Sequence, residues 1–288
     1  MTDNMNIQWY PGHMTKTRRQ IEADLKLVDA VCEIVDARIP VSSRNPDIDA
    51  ICGDKPRMIV LNRMDLADPA ATKKWAECFR RKGMAVIATD CKSKKGISAF
   101  TPAARLACAE KLERDAKRGM NRPLRVMVVG IPNVGKSTLI NQISGRKSAK
   151  AENRPGVTRG KQWVTVDSGL QLLDTPGILW PKFEDPEVGM MLAYTGAVKE
   201  GVIDLEELAY RLMELLHKFY PQTLLERYKV EAPEGTPGWQ LLEMAGRKRG
   251  YLVSGGEVNT ERMAKVLLDE FRNGKLGNFT LEIPEDMV

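Results

Sequence analysis

A glycine-rich loop between an apolar strand and a helix constrains the fold of this chain more than any other segment. The residues GIPNVGKS, from Gly130 to Ser137, satisfy the pattern GxxxxGK[ST] and follow the apolar run LRVMVV. Glycines in such a loop let backbone N–H groups converge on phosphate oxygens at the N-terminus of the next helix, where the helix dipole favours negative charge. The pattern therefore predicts a phosphate cradle on a parallel α/β sheet.

The residues of this cradle have separate expected roles. Lys136 would reach the β and γ phosphates of a nucleotide and counts among the catalytic residues, because charge on those phosphates must be stabilised during transfer. The hydroxyl of Ser137 would ligate Mg²⁺. The other nucleotide contacts predicted in the loop are Asn133, Val134, Gly135 and Thr138.

Two segments after the cradle carry further candidate ligands. The motif DTPG ends an apolar strand, so Asp174 would supply a carboxylate to Mg²⁺ through water, and Gly177 an N–H group to the γ-phosphate. Thr158, counted among the catalytic residues, lies in the basic stretch 146–161, which holds six Lys or Arg and one Glu, and is expected to complete the Mg²⁺ shell when γ-phosphate is present. The alternatives are an ordinary turn at DTPG and a loop threonine without a ligand.

The tetrapeptide NRMD, from Asn62 to Asp65, ends another apolar strand, at the sheet edge where open α/β sheets bind ligands. Asp65 can accept the N1–H and N2 hydrogens of guanine, which adenine lacks, so the motif favours GTP over ATP. Asn62 would brace the neighbouring loops, and the stem of Arg63, in place of the lysine of the familiar NKxD, would lie over the base. Backbone N–H groups around Asp90 and Cys91 are expected to bind guanine O6. The alternative for NRMD is a strand-terminating turn.

The base-reading motif precedes the phosphate cradle, which reverses the usual order in GTPases, and no N[KR]xD follows Lys136. A circular permutation explains this order, because a parallel sheet keeps its arrangement when the chain is cut at one loop and the old ends are joined. The helix and basic linker from about residue 98 to 123 would form the join. The predicted fold class is α/β, a circularly permuted P-loop GTPase domain over residues 1–203, with a mostly parallel sheet and helices on both faces.

Local patterns predict the individual elements. Strands are expected in the segments AVCEIVD, RMIVLN, MAVIATD, LRVMVV, QWVTVD and LQLLD, of which the last two form a hairpin across SG. Helices are expected in the segments DPAATKKWAECFRRKG and SAFTPAARLACAEKLERDAKRG and after Lys136. After residue 203 apolar residues recur at helical spacing, at Leu205, Leu208, Leu212, Leu215, Leu216 and Phe219. With further helices near GWQLLEMAGRK and TERMAKVLLDEFRNG, residues 204–288 are expected to form an all-helical domain.

Composition narrows the class of protein. The 288 residues are 43% hydrophobic, enough for a sizeable core. The net charge is +6, and the basic excess lies in the first 203 residues, which hold 33 basic and 23 acidic residues. This charge indicates a polyanionic partner, and the alternative interpretation is a solvated basic surface. The chain has no long apolar run and no leader pattern, and its five cysteines show no CxxC pair. We therefore expect a cytoplasmic protein with free thiols, no zinc site and no membrane partner.

The segment WYPGHM from Trp9 to Met14, the motif order NRMD, GIPNVGKS, PGVTR, DTPG and the helical tail together resemble the YlqF/RbgA family of circularly permuted GTPases. The resemblance spans nearly the whole chain and implies a GTP-hydrolysing switch in late assembly of the large (50S) ribosomal subunit. The implied partners are the precursor of that subunit, with its rRNA and ribosomal proteins, and a monomer is expected. K⁺ responsiveness with Asn133 as ligand is also implied, while an asparagine that only shapes the loop is the competing interpretation.

Hydrolysis poses a separate question, because Ile178 follows DTPG where many GTPases place a glutamine that orients water. Isoleucine cannot hydrogen-bond water, so we expect slow turnover alone and stimulation when another group is brought in. The resemblance implies His13 for this role. The other histidine, His217, lies in an amphipathic helix, where a structural role is expected, and the alternative for His13 is to anchor the N-terminus.

Two other functions stay open at the level of sequence. A GTPase supporting RNA modification would need a partner enzyme or cofactor domain, and this chain shows neither. A nucleotide-dependent RNA-binding scaffold would bind without hydrolysing. The tail complicates RNA binding, because residues 204–288 hold 11 basic and 15 acidic residues and GRKRG, around Arg247 to Arg249, is the obvious phosphate contact within it.

Overall fold

The computed structural model describes residues 14–145, 162–175, 177, 185–198 and 204–284. The predicted site residues His13 and Thr158 lie outside this part of the chain, as do Ile178 and the basic stretch 146–161. No helix in the described ranges is both long and apolar enough to cross a membrane.

A single six-stranded sheet contains every predicted strand, in the order β3-β2-β1-β4-β6-β5. Neighbouring strands run parallel except the β5–β6 hairpin, which is antiparallel. Strands β1, β2 and β4 are buried along nearly their whole length, as expected of a parallel sheet covered on both faces. The strands are β1 (Ala30–Asp36), β2 (Arg57–Asn62), β3 (Ala85–Thr89), β4 (Leu124–Val129), β5 (Gln162–Asp167) and β6 (Leu170–Asp174).

Helices connect these strands and cover the sheet. The predicted cap of α3 is present, because the Asp68 carboxylate accepts hydrogen bonds from the N–H groups of Ala70 and Ala71 while Pro69 occupies the first turn. The helices of this part of the chain are α1 (Met14–Leu25), α2 (Ile48–Cys52), α3 (Pro69–Arg81), α4 (Phe100–Ala107), α5 (Ala109–Lys117) and α6 (Lys136–Ser144). The permuted sheet with flanking helices confirms the predicted fold class.

The segment between β3 and β4 differs in one detail from the predicted single helix. It forms two helices, α4 and α5, that meet at Cys108, whose φ of −108° and ψ of 18° interrupt the helical backbone. Cys108 is buried, whereas no residue within α5 is. The bend therefore separates a buried helix, anchored by Phe100 and Ala104, from an exposed one that leads into β4.

One face of the sheet carries two apolar clusters with a charged group between them. Val31 belongs to the cluster under α1 and α2, and Val35 to the cluster under α3. Glu33 lies on the same face because strand residues alternate, and it is 1% exposed. Its Oε2 atom accepts hydrogen bonds from Arg44 Nη2 at 2.9 Å and Arg57 Nη2 at 3.1 Å. These pairs compensate a carboxylate that would otherwise be costly to bury.

The all-helical region is a second compact unit. It contains the three predicted helices, α8 (Leu205–Phe219), α10 (Gly238–Lys248) and α11 (Thr260–Arg272), and two that were not predicted, α7 (Pro186–Tyr194) and α9 (Pro221–Tyr228). Leu208, Leu212 and Leu216 of α8 are fully buried, as their spacing predicts. By packing, α7 belongs to this unit and residues 282–284 belong to the unit that contains the sheet. The boundary between domains at residue 203 stays a prediction.

Close packing between α8 and α10 requires a glycine at position 238, because a Cβ atom there would overlap the carbonyl oxygen of Tyr210. We expect Gly238→Ala to lower the free energy of unfolding by about 2 kcal/mol, through overpacking. Urea unfolding followed by circular dichroism measures this change. The control is Gln240→Ala, an exposed position on the same helix, which should change stability by less than about 0.5 kcal/mol. Equal stability of the two variants would contradict the packing.

Candidate functional site

The strand order brings all of the predicted motifs in the described chain to one edge of the sheet. NRMD begins at the last residue of β2, the glycine-rich loop follows β4, and DTPG begins at the last residue of β6. The register aligns Asp36, the last residue of β1, with Asn62, and aligns Val128 with Asp174. The carboxyl ends of β2, β1, β4 and β6 therefore form a continuous edge where the loops can meet one ligand.

The glycine-rich loop passes so close to β1 and β2 that two of its glycines cannot carry a side chain. At Gly130, with φ of 155°, a Cβ atom would come within 2.5 Å of the Ile34 carbonyl oxygen. At Gly135, with φ of 106°, a Cβ atom would overlap Asn62 Nδ2. Helix α6 begins at Lys136 directly after this turn, so the backbone has the shape expected of a phosphate cradle.

Lys136 is buried within the loop that it follows. Its Nζ atom donates hydrogen bonds to the carbonyl oxygens of Gly130 at 3.0 Å and Ile131 at 2.9 Å. Burial lowers the pKa of Lys136 to about 8, although the carboxylate of Asp174 acts in the opposite direction. Burial likewise raises the pKa of Asp174 to about 6 against the opposing effect of Lys136. The charges of Lys136 and Asp174 therefore influence each other.

The residues predicted to hold Mg²⁺ fit a hard cation. Asp174 is 1% exposed, and its Oδ1 atom has no hydrogen-bond partner among the described residues. The neighbouring Thr175 fixes this segment, because its hydroxyl donates to the Val128 carbonyl oxygen at 2.7 Å. Ser137 is half-buried in the first turn of α6. Carboxylate and hydroxyl oxygens are ligands that Mg²⁺ prefers, together with water.

The DTPG segment also approaches the lysine. A Cβ atom at Gly177 would come within 2.9 Å of Lys136 Nζ and 3.0 Å of Pro132 Cα. A side chain at this position would displace the lysine amine and press against Pro132, so the short spacing favours glycine. The structure therefore brings Gly177, Lys136 and Asp174 together, as the motifs predict.

Asn62 connects the base motif to two other segments, the phosphate loop and the end of β3 with the loop that follows it. Its Nδ2 atom donates to the Val134 carbonyl oxygen at 2.8 Å, across 72 residues of sequence. Its Oδ1 atom accepts from Thr89 Oγ1 at 3.2 Å and from the N–H of Cys91 at 3.3 Å. These contacts have the bracing geometry that the sequence predicts and connect the base motif directly to the phosphate loop.

Arg63 makes a second connection to the phosphate loop. Its backbone has a left-handed φ of 61°, and its Nη2 atom donates to the Asn133 carbonyl oxygen at 2.6 Å. Its Nη1 atom lies 3.4 Å from Asp36 Oδ2. The sequence predicts the stem of Arg63 over the base, and the structure adds that the guanidinium contacts the phosphate loop.

The remaining base-site residues surround an exposed carboxylate. Asp65 is exposed, and its pKa is raised by partial burial and by the nearby charge of Asp90. The N–H of Asp90 donates to Lys95 O at 2.9 Å, and the N–H of Cys91 donates to Asn62. The binding of guanine O6 by these N–H groups stays a prediction and would require one of these bonds to be exchanged.

Two charged residues of this edge were not predicted from the sequence. Arg38 is completely buried, and its backbone N–H and Nε both donate to Asp36 Oδ1 at 3.0 Å, while its Nη2 donates to Oδ2 at 2.8 Å. Burial would raise the pKa of Asp36, but Arg38 and Arg63 outweigh it, so the pKa is lowered. An acidic residue that ends an apolar strand, followed two residues later by arginine, is the signal that could have identified this pair.

Two predictions concern residues of the helical unit. His217 lies in α8 with its Nε2 atom 3.0 Å from the Ala232 carbonyl oxygen, which agrees with a structural role. In GRKRG, Arg249 is half-buried and paired within the helical unit: its Nη2 donates to Glu270 Oε1 at 3.2 Å and its guanidinium stacks over Tyr228. Arg247 and Lys248 are exposed, so they are the members of this motif on the surface.

Comparisons with known proteins agree with this arrangement. The family described as 50S ribosome-binding GTPase matches residues 125–222. The chain is 45% identical over 285 residues to "Ribosome biogenesis GTPase A" of Priestia megaterium, covering 98% of each chain. It is 34% identical over 282 residues to the protein of the same name from Thermotoga maritima, covering 98% of this chain and 96% of the relative.

Solved structures give the same answer for the fold. A GDP-bound structure of TM YlqF has a TM-score of 0.68 at 30% identity and covers 93% of this chain and 100% of that one. A GNP-bound YlqF from Thermotoga maritima has a TM-score of 0.63 at 29% identity and covers 94% of this chain and 99% of that one. The first of these proteins is bound to GDP and the second to GNP.

Proposed function

Because this chain belongs to the ribosome biogenesis GTPase A family, also called RbgA or YlqF, we propose that it is a GTP-dependent switch in late assembly of the large ribosomal subunit. The chain binds guanine nucleotide, hydrolyses GTP and acts in ribosome assembly. The stage of assembly, the precursor particle and the rRNA and ribosomal proteins as direct partners are parts of the proposal. So are a monomeric state and a cytoplasmic location.

One observation carries the nucleotide site. Asn62 and Arg63 both donate hydrogen bonds to carbonyl oxygens of the phosphate loop, at Val134 and Asn133. A base motif and a phosphate loop in direct contact can grip the two ends of one nucleotide, although they occur in reverse order along the chain. Asp65 would then accept the two guanine hydrogens, and Lys136 with the N–H groups of the loop would hold the phosphates.

The residues for hydrolysis follow from the same arrangement. Ser137, Asp174 and Thr158 would hold Mg²⁺, which when bound supplies positive charge against the β and γ phosphate oxygens. To bind phosphate, Nζ of Lys136 would exchange its two loop carbonyls for phosphate oxygens. Gly177 would donate its N–H to the γ-phosphate. Contacts with that phosphate would order the Thr158 and DTPG loops, so that the basic stretch 146–161 binds RNA in the GTP state.

Asn133 is proposed to ligate K⁺ as well as to shape the loop. Its left-handed φ of 60° is tolerated by asparagine, which supports the shaping role. A GTPase assay in KCl and in NaCl at equal ionic strength separates the two. Faster hydrolysis in KCl that disappears in Asn133→Gly, which retains the backbone freedom, supports the ligand role. Equal rates in both salts would exclude the K⁺ ligand role, and loop shaping would then be the only role of Asn133 supported by the assay.

The switch is tested by co-sedimentation with large-subunit particles under a GTP analogue, under GDP and without nucleotide. We expect the chain to pellet with the particles mainly under the analogue. The control is Lys136→Met. Because this variant is expected to bind nucleotide poorly, the amount that pellets with the particles should be the same in all three conditions. Equal binding by the wild-type chain in all three conditions would contradict the switch.

His13 is proposed to orient the attacking water when the ribosomal particle is bound. We expect His13→Ala to reduce the particle-stimulated rate by roughly 100-fold, as removal of a positioning donor does. Unstimulated hydrolysis and GDP affinity should change little. His217→Ala serves as the matched control and should keep full stimulation. A stimulated rate for His13→Ala equal to that of the wild-type chain would exclude the role.

A further inference from the structure

A chain of hydrogen bonds and ion pairs runs from the interior of the sheet to the phosphate loop through Arg63. The guanidinium of Arg63 donates to the Asn133 carbonyl oxygen at 2.6 Å on one side and lies 3.4 Å from the Asp36 carboxylate on the other. Asp36 is held in turn by Arg38 through three hydrogen bonds of 2.8 to 3.0 Å. Neither Asp36 nor Arg38 belongs to the motifs that bind the nucleotide.

Arg63 needs such support for two reasons. Its backbone is in the left-handed region, which a residue with a Cβ atom adopts at an energetic cost. Its long side chain also loses rotamer freedom when it is fixed over a base and against a carbonyl group. The carboxylate of Asp36 offsets both costs, because it attracts the guanidinium toward the position from which Nη2 reaches Asn133.

Asp36 can do this because its own position is fixed. Asp36 is 2% exposed, and its backbone N–H donates to Ser43 Oγ at 2.9 Å. Arg38 is 0% exposed and binds both carboxylate oxygens, so it sets the direction in which Asp36 faces Arg63. A buried carboxylate with one arginine on its strand end and another on the neighbouring strand end is a rigid support.

We propose that Asp36 and Arg38 are positioning residues for guanine-nucleotide binding, which act by holding Arg63 against the phosphate loop. The inference rests on the proposed nucleotide site. In this proposal, the residues at the end of β1 keep the base motif and the phosphate loop at the separation that one guanine nucleotide requires.

The competing interpretation is an ion pair that only stabilises the sheet. The same strand offers a control, because Glu33 is equally buried and its hydrogen bonds within the described chain go to Arg44 and Arg57, away from the nucleotide loops. Glu33→Gln and Asp36→Asn each remove one buried negative charge from β1. A purely structural role predicts that the two variants change GDP affinity equally. A positioning role predicts that Asp36→Asn weakens GDP binding more than Glu33→Gln does.

The experiment measures the affinity for a fluorescent GDP analogue together with thermal stability in wild type, Asp36→Asn, Glu33→Gln, Arg63→Ala and the double variant Asp36→Asn/Arg63→Ala. We expect Asp36→Asn to weaken GDP binding roughly 10- to 100-fold, the effect of losing a hydrogen bond to a charged group. Glu33→Gln should weaken it less than about threefold, whatever its melting temperature. In the Arg63→Ala background, Asp36→Asn should cost less than about threefold, because its effect passes through Arg63.

Each outcome of this experiment either supports or overturns the positioning role. If wild type does not bind GDP, the proposed site itself fails. If wild type binds and the effects of Asp36→Asn and Arg63→Ala are additive, or Glu33→Gln weakens binding as much as Asp36→Asn, the positioning role is overturned. If Asp36→Asn does not fold, Arg38→Lys replaces it in the same cycle: it keeps the charge but loses the two-oxygen contact, and additivity with Arg63→Ala overturns the inference in the same way.

Discussion

Lys136→Met is expected to abolish measurable hydrolysis of GTP and to weaken GTP and GDP binding by at least roughly 100-fold, because a preorganised charged donor to phosphate is removed. Methionine keeps most of the side-chain volume but cannot donate. The folded protein should not lose stability, because burial already disfavours the charged lysine and lowers its pKa to about 8. Isothermal titration with GDP and a phosphate-release assay, together with a thermal melt, measure the three quantities.

The matched control for this variant is Lys117→Met. Lys117 lies at the end of α5, 73% exposed, and pairs with Glu113 four residues earlier. Its replacement removes the same charge from the same chain but should leave GDP affinity and turnover within about twofold. GDP binding by Lys136→Met at the affinity of the wild-type protein would remove the phosphate loop from the proposed site.

Asp65→Asn is expected to change which nucleotide is bound. The amide no longer accepts from both the N1–H and the N2 amino group of guanine, so affinity for GTP should fall by on the order of 10²- to 10³-fold. Xanthine has a carbonyl group at C2, to which the new NH₂ group can donate, so XTP should now bind better than GTP. Competition of GTP, XTP and ATP against a fluorescent nucleotide measures this reversal.

Asp68→Asn makes the same chemical change three residues further on. Asp68 caps α3, a position that asparagine also fills well, so this variant should keep both stability and the preference for GTP. Parallel losses of GTP and XTP affinity in Asp65→Asn, without any gain for XTP, would mean that the exposed carboxylate does not read the base.

Much of this architecture could be predicted from the sequence because the deciding signals are local. The apolar runs of β1, β2 and β4 identify a buried parallel sheet, and the glycine spacing identifies the phosphate loop. The order of NRMD and GKS then requires a permuted connection. Leu208, Leu212 and Leu216 repeat at helical spacing, so the core face of α8 was equally predictable.

The features that could not be predicted depend on contacts between distant parts of the chain. Arg38 is as buried as any leucine of the core. Its spacing from Asp36 signals a pair, but neither its complete burial nor the contact of Asp36 with Arg63 can be read from the local sequence. The break at Cys108 is likewise set by packing and not by a glycine or proline. Helix α7 had a usable local signal, because Asp185 caps it by accepting a hydrogen bond from the N–H of Glu187, and Pro186 occupies its first turn. Its short apolar run, however, lacks the amphipathic repeat of α8.

The antiparallel pairing of β5 with β6 has a mechanical consequence. Gln162, the first residue of β5, sits opposite Asp174, the last residue of β6, and the two strands are joined by one tight turn at their far end. The segment that contains Thr158 and the segment DTPG thus emerge from the same end of a single stiff ribbon. Backbone hydrogen bonds between β5 and β6 join the two segments, so we expect them to move together if the proposed γ-phosphate contacts are lost.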